Sequence, residues 1–167
     1  MKVSMVVAAS DNNAIGLKGN LLWRLPDDMQ FFKDVTWGHY VLMGRKSWEA
    51  LPEKYRPLPG RKNIVVTRQK DFKATGCEIV DNIDAGITLA EKNGENELMI
   101  IGGGEIYHQA LDKTNRIYLT RVHHVFENAD AYFPELNKND WKEVSKKEYH
   151  TDARHQYAFD FLVFERK

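Results

Sequence analysis

The chain has 167 residues, 43% hydrophobic and 29% charged, the balance of one soluble globular domain with a sizeable core. Lysine plus arginine and aspartate plus glutamate stand at 24 each. That zero net charge argues against a general nucleic-acid or membrane-surface binder and leaves room for a local basic pocket. Cys77 is the single cysteine, which excludes an intrachain disulfide and suits a reducing, cytoplasmic setting.

The first apolar run, Val3 to Ala9, is too short to span a membrane and lacks the core and processing site of a signal peptide, so it is expected as a buried strand. Pro26 to Val35 reads as a helix with proline in its first turn. Tyr40 to Met43 is a short apolar run closed by Gly44, and Ser47 to Leu51 a helical turn or two. Asn63 to Thr67 is β-branched and strand-like, and Glu78 to Val80 is a short strand. Ala85 to Lys92 is helical, Leu98 to Ile101 is a strand ending in three glycines, Glu105 to Leu111 is a helix, and Arg116 to Val122 is a strand. Trp141 to Tyr149 and Gln156 to Phe164 read as two final strands; in the second, Tyr157, Phe159, Phe161 and Val163 share a face.

This alternation predicts an α/β fold over residues 1–167: a three-layer sandwich with a mostly parallel central sheet of about eight strands and helices on both faces. The last two strands are expected to form a hairpin antiparallel to the rest. No long amphipathic seam marks a dimer, so a monomer is expected.

Two strand-to-helix turns look like phosphate sites. Ile101 runs into Gly102-Gly103-Gly104 and then a helix, so backbone can approach an anion at the positive end of the helix dipole. A ligand-free glycine turn is the competing reading, because this is not the G-x-G-x-x-G pattern. Met43 runs into Gly44-Arg45-Lys46-Ser47, which looks like the end of a P-loop, but Gly38 lies at the wrong distance. Cations at a helix start oppose its dipole unless an anion sits there. With Arg68 nearby, they favour a phosphomonoester such as the 2′-phosphate of NADP over a solvated basic turn.

The segment Trp23 to Val35 carries the sharpest signal. Helical spacing puts Asp28 on one face with Phe31, Phe32 and Val35, while Asp27 is turned about 100° away. A carboxylate on an aromatic face needs a partner or shifts its pKa. A donor of two parallel hydrogen bonds, such as the amidine-like edge of a heterocycle, satisfies both oxygens. A solvated acid complementing the dipole fits the spacing equally well.

The motifs come in order: Ile15-Gly16, Trp23-x-Leu25-Pro26-x-Asp28, Met43-Gly44-Arg45-Lys46-Ser47-Trp48-Glu49, Arg56-Pro57-Leu58-Pro59-Gly60-Arg61-Lys62-Asn63, Ile101-Gly102-Gly103-Gly104-Glu105-Ile106-Tyr107, Tyr118-Leu119-Thr120 and Phe133-Pro134. Together they resemble dihydrofolate reductases of the bacterial chromosomal type over essentially the whole chain. The resemblance implies reduction of 7,8-dihydrofolate to tetrahydrofolate, with hydride passing from NADPH to C6 and a proton to N5. It implies that Asp28 binds the pterin's amino-pyrimidine edge, that Thr120 supports Asp28, and that Trp23 orders water near the ring. Val6, Val7, Met29, Phe32, Leu51, Leu58 and Ile101 are implied to line the apolar slot, and Arg61 to pair with the α-carboxylate of the glutamate tail. Ala8, Ile15, Gly16 and the Gly102–Gly104 turn, with Ile101, Glu105, Ile106 and Tyr107, are implied to hold the nicotinamide and pyrophosphate. Gly44, Arg45, Lys46, Ser47, Thr67 and Arg68 are implied at the adenosine phosphate end. Ser10 to Leu22 matches the family's mobile active-site loop, which Asp130 helps to hold.

Departures are Leu22, where many relatives have proline, and Glu53-Lys54-Tyr55, which looks like an insertion. No metal is expected: His123, His124, His150 and His155 match no ligand spacing and read as surface or strand positions. Trp37, Trp141 and the tyrosines read as core. The competing functions are a related pyrimidine reductase of the riboflavin pathway and a non-catalytic NADPH-binding module.

Overall fold

The computed structural model describes residues 1–167. Its first strand, β1 (Lys2–Ser10), is buried along nearly its whole length because it lies at the centre of a sheet covered on both faces. Alternate residues feed different cores. Val3, Met5, Val7 and Ala9 enter one cluster and Val6 another.

The remaining elements are β2 (Ala14–Gly16), α1 (Pro26–Thr36), β3 (Tyr40–Gly44), α2 (Arg45–Ala50), β4 (Lys62–Val66), β5 (Cys77–Val80), α3 (Ile83–Lys92), β6 (Glu97–Ile100), α4 (Gly104–Ala110), β7 (Arg116–Val122), β8 (Ala131–Tyr132), β9 (Trp141–Tyr149) and β10 (Phe159–Arg166). Eight strands form one sheet in the order β5-β4-β3-β6-β1-β7-β10-β9. Val6, Val41, Met43, Val65 and Met99 pack with Trp48 of α2 and with Phe32 and Val35 of α1. Val3, Met5, Leu42, Ile64, Leu98 and Ile100 pack with Ile83 of α3 and Ile106 and Ala110 of α4. Helices therefore cover both faces, as the sequence pattern predicts.

The final two strands form the expected antiparallel hairpin, and the pairing fixes which of them opposes the sheet. β10 pairs antiparallel with both β7 and β9. Thus β9 runs the same way as β7, and β10 alone opposes the other strands of this sheet. β9 is an outer edge whose exposed lysines and glutamates discourage further pairing. β10 starts at Phe159, not Gln156; Tyr157 packs instead against Phe126 and His124.

α1 begins with Pro26, which needs no acceptor, and its first-turn acids Asp27 and Asp28 complement the dipole. α3 begins two residues earlier than its apolar pattern suggests, because Asn82 caps it by accepting from the Ala85 N–H at 2.7 Å. The segment after β1 carries unexpected order. β2 pairs with β8, and Leu17 and Asn20 exchange backbone hydrogen bonds around Lys18 and Gly19, both at positive φ. Glu53–Tyr55 forms an exposed 3₁₀ turn. No helix is long and apolar enough to cross a membrane.

Candidate active site

Residues at the carboxyl ends of β1, β3, β6 and β7 converge with the start of α1. In such sheets this edge is where ligands bind. Ala8 lies opposite Thr120 in the β1–β7 register. The Thr120 hydroxyl, itself buried, donates to Asp28 Oδ1 at 2.6 Å. Burial outweighs this bond and raises the Asp28 pKa from 3.8 to about 6. The carboxyl therefore exchanges its proton in the range where most acids stay ionised.

Asp27 is placed differently. It borders a surface hollow lined also by Gln30, Asp34, Lys147 and Tyr149, and pairs with Arg154 at 3.7 Å. The two acids part as helical spacing predicts. Phe31 stacks on Phe161 of β10, with ring centroids 4.3 Å apart. Tyr107, wholly buried, donates from its hydroxyl to the Val6 carbonyl at 2.7 Å. Burial, then the negative charge of Asp28, pushes its pKa up, so it stays a neutral donor.

Of the apolar slot residues, Val6, Phe32, Leu51, Leu58 and Ile101 pack in one cluster. Val7 points to the opposite face of the sheet, as strand alternation requires, and Met29 is 54% exposed at the outside of α1. Neither side chain joins that cluster. Trp23 is buried with Leu25, Val122 and Phe159, and its Nε1 donates to no protein acceptor.

The two glycine turns sit side by side because β3 and β6 are paired. The Gly44 N–H donates to the Gly102 carbonyl at 2.9 Å. Gly102 has φ +122, and the Gly102–Gly103 peptide is cis. A Cβ on Gly103 would lie 3.1 Å from Ser47 Oγ, and one on Gly104 3.3 Å from the Tyr132 carbonyl and 3.7 Å from Ile15. Gly16, in β2, is equally crowded by the Asn20 carbonyl at 3.2 Å.

Arg45 pairs with Glu49 at 2.6 Å, Lys46 follows it in α2, and Arg68 comes two residues after β4, which pairs with β3 up to Gly44 opposite Val66. Thr67 accepts from the Gln69 N–H at the end of the neighbouring strand β4. The two residues after Gly104 differ in placement, and the Ile106 side chain lies 3.0 Å from where a Cβ on Gly44 would sit. Glu105 bonds Gln109 in solvent, and Ile106 lies in the core.

Arg61 is held by the Pro59 carbonyl at 2.8 Å and the Thr36 hydroxyl at 3.2 Å, over the Trp37 ring. Burial lowers its pKa. Trp37 is 51% exposed, so it is a rim residue and not core. The loop root is fixed by Arg121, which donates to the Ser10 carbonyl and Asn13 Oδ1, both at 2.7 Å. Asp130 accepts from the Lys18 N–H at 2.9 Å.

His155, expected at a surface or strand position, lies instead in the β9–β10 connection. Its side chain is only 1% exposed and touches the first turn of α1. Its distance along the chain from α1 hides this; the one local signal is Asp152 three residues before it.

Two glycine turns, a cationic rim and a part-buried aspartic acid meeting at one sheet edge mark an α/β protein built to hold an anionic cofactor beside a flat ring. A family model described as dihydrofolate reductase matches residues 2–166. The chain is 38% identical over 165 residues to a dihydrofolate reductase of Bacillus subtilis, covering 99% of this chain and 95% of the relative. It is 37% identical over 167 residues to a type 3 dihydrofolate reductase of Salmonella typhimurium, covering 100% and 99%. A solved Enterococcus faecalis dihydrofolate reductase, complexed with NADP(H) and RAB-propyl, superposes with a TM-score of 0.90 at 30% identity, covering 99% of this chain and 96% of that one. The chain belongs to the dihydrofolate reductase family.

Proposed function

We propose that this protein reduces 7,8-dihydrofolate to tetrahydrofolate with NADPH, acting as a monomer in the cytoplasm. The observation that carries this reading is Asp28: a carboxyl in apolar surroundings, held by Thr120 at 2.6 Å, with its pKa at about 6. One oxygen takes the Thr120 hydroxyl, and the other is open to the amino-pyrimidine edge of a pterin. A group titrating near neutrality both binds that edge and supplies a proton toward N5. The unpartnered Trp23 Nε1 fits a role in ordering water on the same path. Val6, Phe32, Leu51, Leu58 and Ile101 give the ring an apolar slot, and Arg61 presents a pre-oriented guanidinium to the glutamate tail.

The residues also fit the cofactor. The glycines leave a cradle that Cβ atoms would fill, Ser47 borders it, and Arg45 and Lys46 precede Ser47 in α2 while Arg68 follows the neighbouring strand β4. When bound there, NADPH supplies hydride to C6. Ile15, whose Cδ1 lies 3.7 Å from where a Cβ on Gly104 would sit, brings the loop against that cradle, where a lid would exclude water.

The test is a spectrophotometric assay of NADPH oxidation with and without dihydrofolate. Consumption that requires dihydrofolate is expected. Turnover of a riboflavin-pathway pyrimidine in place of dihydrofolate, or NADPH binding with no pterin turnover, would overturn the reading.

A further inference from the structure

We propose that His155 is a positioning residue for Asp28: its imidazole caps the first turn of α1 and fixes how deep the carboxylate sits beside the substrate ring. The inference rests on the function proposed above.

The start of α1 lacks an internal cap. Leu25, at the cap position, has no side-chain oxygen, and Pro26 has no N–H. Asp27 therefore carries the first helical amide that needs an acceptor. That amide donates to His155 Nε2 at 3.1 Å. The other ring nitrogen, Nδ1, lies 2.8 Å from Asp152 Oδ1. A carboxylate accepts, so Nδ1 carries the proton and Nε2 keeps its lone pair for the helix. Asp152 thus selects the tautomer that makes His155 an acceptor.

Both anchors of the Asp28 turn come from the far end of the chain. Thr120 grips the carboxyl from β7, and β10, which follows His155, pairs with β7 through Phe161 opposite Thr120. The His155 ring packs on Phe159 at 5.3 Å, and Phe161 stacks on Phe31 of α1. The charged groups facing the ring are Asp152 and the Asp27 carboxylate, 3.8 Å from Nε2, with Arg154 paired to Asp27. A side chain that fixes the first turn in this way sets the hydration of the residue that follows.

The test compares wild type with His155→Phe and His155→Gln. Phenylalanine keeps the ring packing and accepts nothing; the glutamine amide oxygen reaches the Nε2 position. Carboxyl NMR titration of Asp28 and steady-state kinetics are both measured. In His155→Phe the Asp28 midpoint is expected to fall by about one pH unit as water reaches the loosened turn. Its kcat/KM for dihydrofolate falls on the order of tenfold. His155→Gln restores both. A His155→Phe protein with a lowered Tm but unchanged midpoint and kcat/KM would mean a structural role alone and overturn the proposal. If that variant does not fold, His155→Gln is compared with His155→Asn, whose shorter amide cannot reach Asp27; equal Asp28 midpoints overturn it. The titration needs no substrate, so it stays readable even if dihydrofolate is not turned over.

Discussion

Replacing Asp28 with asparagine should make the protein more stable and less active at once. Burial lifts the pKa of Asp28 from 3.8 to about 6, and at about 1.4 kcal/mol per pH unit this corresponds to about 3 kcal/mol. The sign follows from proton binding. Between pH 3.8 and about 6 the native state holds a proton that the unfolded chain has released, so stability falls as pH rises through this window. Above it, the native state carries the full cost of a charged, desolvated carboxylate. The neutral amide of Asp28→Asn carries no such cost, and its oxygen can still accept the Thr120 hydroxyl. Urea unfolding of the two proteins should agree at the low end of the window and diverge by about 3 kcal/mol above it. In a chain of 167 residues that gain raises Tm on the order of 6–12 °C. NADPH oxidation with dihydrofolate should fall by orders of magnitude at neutral pH. A variant whose stability difference is the same across the window would refute the desolvation argument. Near-full activity would refute the catalytic role.

Thr120→Val removes a hydrogen bond that holds the Asp28 pKa down, so carboxyl NMR titration should move its midpoint above about 6; a downward shift would contradict the assignment. Gly86→Ala should destabilise despite favouring helix, because a Cβ there lies 2.5 Å from the fully buried Leu42. The net loss expected in urea unfolding is about 1–3 kcal/mol, and any gain in stability would count against it. Asp130→Ala leaves the Lys18 N–H without its acceptor. Amide exchange at Lys18 should speed up on the order of tenfold, about 1.4 kcal/mol, with slower turnover; unchanged exchange would show that the β2–β8 pair alone holds the loop.

The layers, the parallel core of the sheet and the separation of Asp28 from Asp27 were all legible in the amino-acid order. These follow from local periodicity, which depends only on near neighbours. Val6 and Val7, which the resemblance put together in the slot, are separated by strand alternation. Short elements escaped: β2 and β8 have too few residues to show a period, and each is ordered by the other.

Pairing across distance came from the packed fold alone. Packing set β10 antiparallel to every other strand of the sheet, exposed Trp37, and placed the Glu105 side chain in solvent beside Gln109. It gave Asp28 its shifted pKa, because desolvation depends on what packs around a group and not on its neighbours in sequence. It also brought His155 to Asp27, 128 residues away along the chain. A hydrogen bond between residues so far apart leaves no periodic trace; it exists only once β10 has closed the sheet beside β7.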